Sequence, residues 1–295
     1  MPAHCKIEDP LKLDIILLPF GLNDMGTPLF DCLRILCGTV NFRNKKTNRL
    51  IKPRKCFVSN RKRTIKKSTL DDLISVVFDG DLKQKDLKEA LVKGSNDNKT
   101  FWEDLRAELC LCIVAREKGL NVDAFLYLYR IFELVSIALP LVYISSLSDY
   151  KKSMDFVKSL SNNTNDGELT VFKNFVSSSQ LMRDYRYLVI DFDTNHEDEK
   201  WRIEIKSQLD KYVFSESKIK QTHTDGIFAL QFTSVLSFIV SCRNRLFHNS
   251  HSGANFKLDP LNGADSLCKM LIDPALYFLS LVLVEVVKAH TKRYI

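Results

Sequence analysis

Ten glycines and eight prolines in 295 residues are few. That scarcity excludes a many-turned β-protein, where turn residues recur about every ten positions. Cysteine pairs at CxxC spacing are absent: the eight cysteines fall at 5, 32, 37, 56, 110, 112, 242 and 268. Neither a zinc framework nor a disulfide scaffold fits that spread, and it reads as small buried hydrophobes in a reducing compartment. No basic-then-apolar leader opens the chain, since Glu8, Asp9 and Pro10 precede the first apolar run; a cytoplasmic location is expected. No membrane span is expected either. Gly226 to Cys242 is uncharged but includes Gln231, Thr233, Ser234, Ser237 and Ser241, and Leu276 to Val284 is shorter still, against the roughly twenty apolar residues a span needs. Acidic residues are missing between Asp31 and Asp71.

Hydrophobic residues make up 45% and charged residues 27%, enough for a sizeable core. Long apolar runs with few breakers predict a mainly α fold. The net charge of +7 is unevenly placed, with twelve Lys or Arg among the twenty-five positions 43–67. These are Arg43, Lys45, Lys46, Arg49, Lys52, Arg54, Lys55, Arg61, Lys62, Arg63, Lys66 and Lys67. Such a block attracts polyanions, above all nucleic acid, and so predicts an RNA-binding arm.

The chain divides by character. Residues 1–98 read as an α/β region carrying the basic arm: a strand at Leu13–Pro19, a helix from Pro28 to Leu36 capped by Thr27, a short strand at Lys55–Ser59, and helices from Thr69 to Val77 and from Asp86 to Val92. The Gly94–Asn98 stretch reads as a loop and a domain boundary. Residues 99–295 read as a helical domain with an insertion at 149–225. Trp102, Leu105, Leu109, Ile113 and Val114 share one helical face. A second helix, capped by Asp123 and kinked at Pro140, returns antiparallel to the first. Within the insertion, Tyr185–Phe192 and Trp201–Ile205 predict a β-hairpin with the acidic tract between them. Asp191, Asp193 and Asn195 open like a calcium loop, but His196 stands where glycine is needed and Arg202 where the bidentate Glu belongs. Gly226–Phe247 reads as one buried helix, and Ala264–Lys292 as the last, bent or split by Pro274.

The richest chemistry lies where that buried helix runs out, at Ser241-Cys242-Arg243-Asn244-Arg245-Leu246-Phe247-His248-Asn249-Ser250-His251. An arginine fork donates two parallel hydrogen bonds to a phosphate and stays charged. A histidine moves protons near neutral pH. RNA carries its own nucleophile, the 2′-hydroxyl, so these groups suffice to cleave it without a metal. Arg243 suits the phosphate and His248 the proton. Asn244 suits holding the imidazole or a phosphate oxygen, with Arg245 and His251 secondary. Positions five apart on an ideal helix differ by about 140°, so the helix must end or distort between Arg243 and His248. One histidine does not readily serve as both acid and base; a homodimer across a twofold axis supplies two.

The spacing Arg243-Asn244-x-x-x-His248 resembles the signature of the HEPN superfamily, small helical bundles that are often endoribonucleases. The resemblance covers roughly residues 100–295. It implies a HEPN-like bundle with its motif at the end of the penultimate core helix, metal-independent cleavage leaving a 2′,3′-cyclic phosphate, no cofactor, and a site composed across a dimer. By the same analogy, a toxin or phage-defence role and an antitoxin or regulatory partner follow. The 149–225 insertion departs from compact members. Arg130 and Glu133, one turn apart in an apolar helix, are expected to pair with each other and to support the site. Tyr127 reads as core ahead of base-stacking. His4, His196, His223 and His290 have no ligand partners at metal spacing. Two other classes stand beside the nuclease. One is a non-catalytic RNA-binding or assembly subunit that relies on the basic block; the other is an interaction protein that uses the uncharged stretch 226–242.

Overall fold

The computed structural model describes residues 5–10, 21–22, 27–58, 84–160, 167–214, 221–224, 226–247 and 255–294. The fold is mainly helical with two small sheets. Three strands, β1 (Cys5–Glu8), β2 (Asn41–Asn44) and β3 (Leu50–Ile51), form an antiparallel sheet in the order β1-β2-β3. Helix α1 (Pro28–Leu36) lies between β1 and β2 in sequence, with every residue buried. Thr27 occupies its cap position, but the side chain caps nothing; instead the Thr27 carbonyl accepts from Phe30 and Asp31. Arg34 is wholly buried and clasps Asp9 with two bonds of 2.7 and 2.8 Å, which ties β1's exit to α1. The expected strand at 55–59 does not form over residues 55–58. There the Phe57 N–H reaches back to the Leu36 carbonyl, and its own carbonyl accepts from Ser280.

Helix α2 (Gln84–Asp97) runs straight through the expected loop. Burial of Gly94 and Ser95 overrides the weak helix propensity of this stretch, in which Asn96 is exposed. Gly94 is pressed against His290, its carbonyl accepts from the Trp102 indole at 3.2 Å, and the Ser95 hydroxyl accepts from Leu29 N–H at 3.4 Å. The segment proposed as a boundary is therefore a packed seam, and the hydrophobic core continues across it.

Helices α3 (Lys99–Glu117) and α4 (Asn121–Ser146) pack along their lengths across a three-residue turn. Helix α4 opens at Asn121, which puts Asp123 in the first turn instead of at the cap. Pro140 sits buried inside it. Next come α5 (Tyr150–Leu160), α6 (Glu168–Ser178), strand β4 (Val189–Asp193) and α7 (Glu199–Leu209). The predicted 185–205 hairpin fails because Trp201 and Ile205 belong to α7. Asp198 caps that helix, accepting from the Lys200 N–H at 2.9 Å, and Trp201, Ile205 and Leu209 bury one face at helical spacing. Strand β4 pairs instead with β6 (Ile227–Gln231), which is flanked by β5 (Gln221–Thr224); all pairing is antiparallel in the order β4-β6-β5. Gly226, at φ +78°, turns the chain into β6. The expected single helix 226–247 therefore starts only at Phe232, as α8 (Phe232–Phe247).

The last helix, α9 (Asp265–Lys292), is continuous through Pro274. It packs against α4 and α8, with α1 and α2 closing its far end. Helices α4 and α9 are long and apolar enough to cross a membrane by length and composition, which the short apolar windows weighed in the sequence did not reveal. Both are inner helices, with 56% and 78% of their most apolar windows buried. The expected strand at 13–19 and helix at 69–77 lie outside the described residues.

Candidate nucleic-acid interface and cleavage site

The end of α8 is fixed by two aromatic contacts to α4. Arg243 and Phe247 are one turn apart, as are Phe125 and Tyr129. The Arg243 guanidinium carbon lies 4.6 Å from the Tyr129 ring centroid, and Phe247 stacks on Phe125 at 6.3 Å. Later residues of α8 meet earlier residues of α4, so the helices run antiparallel here. Cys242 is buried beside this seam, and its thiol is pushed well above the ordinary range by burial and by nearby Cys268. The Arg245 carbonyl accepts from the Phe256 N–H at 3.2 Å, which closes the chain back onto the helix end.

On this anchored turn, Arg243 is half-buried and Asn244 exposed. Arg243 Nη1 donates to Asn244 Oδ1 at 3.2 Å. A guanidinium stacked on an aromatic face keeps its N–H edges in the stacking plane, the orientation used for a phosphate fork. The Tyr129 hydroxyl is raised by burial; Arg243 works against that rise and Glu133 adds to it. Arg243 from α8 and Glu133 from α4 thus act in opposite senses on Tyr129. Tyr129, not the weighed Tyr127, is the aromatic partner of the site. An apolar helix gives no local sign of this, because the contact joins two distant elements.

Other expected residues are placed differently. His248 and His251 lie outside the described residues, and Phe247 is the last described residue of α8. Arg245 is half-buried. Arg130 does not pair with Glu133. It reaches across to α3, where its Nη2 meets the Glu108 carboxylate at 2.6 Å. Burial raises that carboxyl despite the partner. At positions 130 and 133 the side chains diverge by about 60° of helix turn, so the inter-helix acid wins. Glu133 is exposed and, with Asp104, Glu108 and Arg130, rims a shallow hollow.

The described part of the basic arm includes the β2–β3 hairpin. The Asn44 side chain accepts from the Lys46 and Thr47 N–H groups at 2.9 Å each, and Asn48 at φ +55° completes the turn. Arg43 pairs with Glu8 at 2.8 Å, Lys55 with Asp273 at 2.6 Å, and Arg54 with Asn41 at 3.2 Å. Lys45, Lys46, Arg49 and Lys52 stand exposed around the turn. Arg61, Lys62, Arg63, Lys66 and Lys67 lie outside the described residues.

A separate cavity of about 520 Å³ lies between β4 and α9. It contains a Ser–His pair, with Ser266 Oγ 3.3 Å from His196 Nε2. The His196 Nδ1 accepts the Asp198 N–H at 3.2 Å. A neutral ring accepting at Nδ1 carries its proton on Nε2, so it donates to Ser266 and cannot take that hydroxyl's proton. The pair is therefore not an activated nucleophile. Among the described residues, no group of three or more His, Cys, Asp or Glu side chains converges as a metal site.

No family model, no curated protein and no solved structure matches this chain.

Proposed function

We propose that the chain is a metal-independent endoribonuclease of the HEPN type, acting as a homodimer and serving as a toxin or phage-defence effector held in check by an antitoxin or other regulatory partner. The reading is carried by Arg243, seated 4.6 Å over Tyr129 beside exposed Asn244 at the anchored end of α8. In this reading, Arg243 grips the scissile phosphate and offsets charge on the phosphorane. His248 takes the proton of the 2′-hydroxyl, and the same residue of a second copy gives a proton to the leaving 5′-oxygen. Asn244 holds either the imidazole or a phosphate oxygen.

The test is cleavage of single-stranded RNA by the purified chain in EDTA. Arg243→Ala and His248→Ala are each expected to lose on the order of a hundredfold or more in rate, and the product should end in a 2′,3′-cyclic phosphate. Cleavage that survives either substitution removes the site.

A second reading, a non-catalytic RNA-binding subunit, is favoured by exposed Lys45, Lys46, Arg49 and Lys52 on the hairpin. It predicts salt-steep RNA binding with no cleavage, weakened by charge reversal at Lys45 and Lys46 and indifferent to His248.

A further inference from the structure

The cavity between β4 and α9 has a wall that the proposed nuclease chemistry does not use. In β4, Leu188 and Thr194 flank the strand and bond toward β6: the Phe232 N–H reaches the Leu188 carbonyl, and the Thr194 N–H reaches the Gly226 carbonyl. Antiparallel pairs alternate between bonded and non-bonded. With Ile190 opposite Leu230 and Phe192 opposite Phe228, the even residues spend their backbone groups on β6. The N–H and C=O groups of Val189, Asp191 and Asp193 therefore point away from β6, along the strand's outer edge. Among the described residues, nothing pairs with that edge, because β4 is terminal in its sheet. Val189, Asp191 and Asp193 line the cavity, and Val189 is 48% exposed.

The opposite wall is one stripe of α9, formed by Ser266, Met270, Asp273 and Tyr277; Lys269 also lines it, and Lys55 is spent on Asp273, which leaves Asp191 and Asp193 against one lysine. At about 1.5 Å per residue the stripe spans roughly 16 Å; the five residues of β4 span about 14 Å. One wall of the cavity is thus an unpaired strand edge and another a helix stripe of matching length, a slot suited to an extended chain.

We infer that this slot is a docking site for an extended peptide of a partner protein, which adds to the edge of β4 and carries basic residues alternating with apolar ones. Asp191 and Asp193 stand on one face of β4, so residues directly opposite them on an added strand are lysine or arginine. The intervening residues face the core side of the sheet, toward Met270 and Tyr277, and are apolar. A second copy of this chain does not fit. Edge-to-edge pairing of two β4 strands sets aspartates against aspartates, which is destabilising. The inference does not depend on the nuclease reading.

The test uses the full chain and a fluorescent, blocked heptapeptide, Lys-Val-Lys-Val-Lys-Val-Lys, followed by anisotropy. The chain's net charge of +7 opposes nonspecific capture of this peptide. Saturable binding is expected. N-methylating the lysine amides or the valine amides should separate two outcomes: one set loses at least about tenfold in affinity, and the other stays within about threefold, because only one edge of the added strand faces β4. Val189→Pro removes an outward N–H while sparing the β6 ladder and should cost at least about tenfold at an unchanged melting temperature. Asp191→Lys should lose the lysine peptide and gain the matching Glu-Val peptide, a gain that misfolding cannot mimic. The inference is overturned if no peptide binds saturably, if both methylated sets bind alike, or if Val189→Pro leaves affinity unchanged. It also fails if adenosine monophosphate binds saturably, depends on Lys269, and no peptide binds, for then the slot is a small-molecule site.

Discussion

In the proposed nuclease, Arg243 must be held where it can meet a phosphodiester. Tyr129 holds Arg243 through the ring face, a contact of about 0.5–2 kcal/mol. Tyr129→Phe keeps the ring and should leave RNA cleavage within about threefold. Tyr129→Leu removes the quadrupole and should cost about tenfold in kcat/KM; equal rates for the two variants would sink the seating role. A second residue makes a claim about stability. His290 is fully buried, with its ring set against the backbone of Gly94. Burial pushes its pKa below the ordinary 6.5, with the Gly94 backbone and then Asp97 opposing and Arg293 adding to the fall, while Tyr294 stands edge-on to the ring. The unfolded chain therefore takes up this proton more readily than the folded one. Its contribution to stability is complete above about pH 6.5 and is lost as pH falls from there toward the depressed folded value. His290→Leu should flatten the fall in melting temperature between pH 7.5 and 5.5; an unaltered slope would show that another group carries it.

At the scale of elements, the seam between α2 and α9 turns on one glycine. A Cβ at Gly94 would lie 3.0 Å from His290 Cδ2. In an open helix Gly→Ala gains about 1 kcal/mol, but here the added methyl meets a ring that close packing holds in place. Gly94→Ala is therefore expected to lower the melting temperature, and pairing it with His290→Ala should recover part of the loss; a stabilised single variant would mean the ring moves freely. Such seams explain what the sequence reveals and what it hides. Trp102, Leu105 and Leu109 announce α3 because helical spacing is a local signal. The same holds for the burial of α8 and the length of α9. Gly94 and Asn96 announce a loop, and only contact with His290, Trp102 and Leu29 overrides it. Trp201 and Ile205 fit either an alternating strand or a helical face over so short a window, and the Asp198 cap decides. At the candidate site, the sequence singles out Arg243 and Asn244 by residue type alone. Their seat on Tyr129 and the diversion of Arg130 to Glu108 were not legible, since both join elements that sequence proximity does not relate.

For the whole molecule, the composition break near residue 98 suggests two units, whereas the packing joins them. Leu29, Leu33 and Leu36 of α1 are fully buried, and the core they share continues through α3 and α9. Three such side chains contribute about 1.5–3 kcal/mol each, a sum comparable with the roughly 5–15 kcal/mol that separates a folded chain from an unfolded one. Removing residues 1–98 would also uncover the apolar face of α3 and leave His290 beside an empty space where Gly94 had been. The chain 99–295 alone is therefore expected to bind a hydrophobic dye and to melt without a cooperative transition. The full chain should lose near- and far-ultraviolet circular dichroism together in one step. If the shortened chain instead melts sharply and within a few degrees of the full one, the helical portion is a self-sufficient bundle. The α1–α3 contact would then be a docking surface between two domains, and the shared core would carry little of the stability assigned to it.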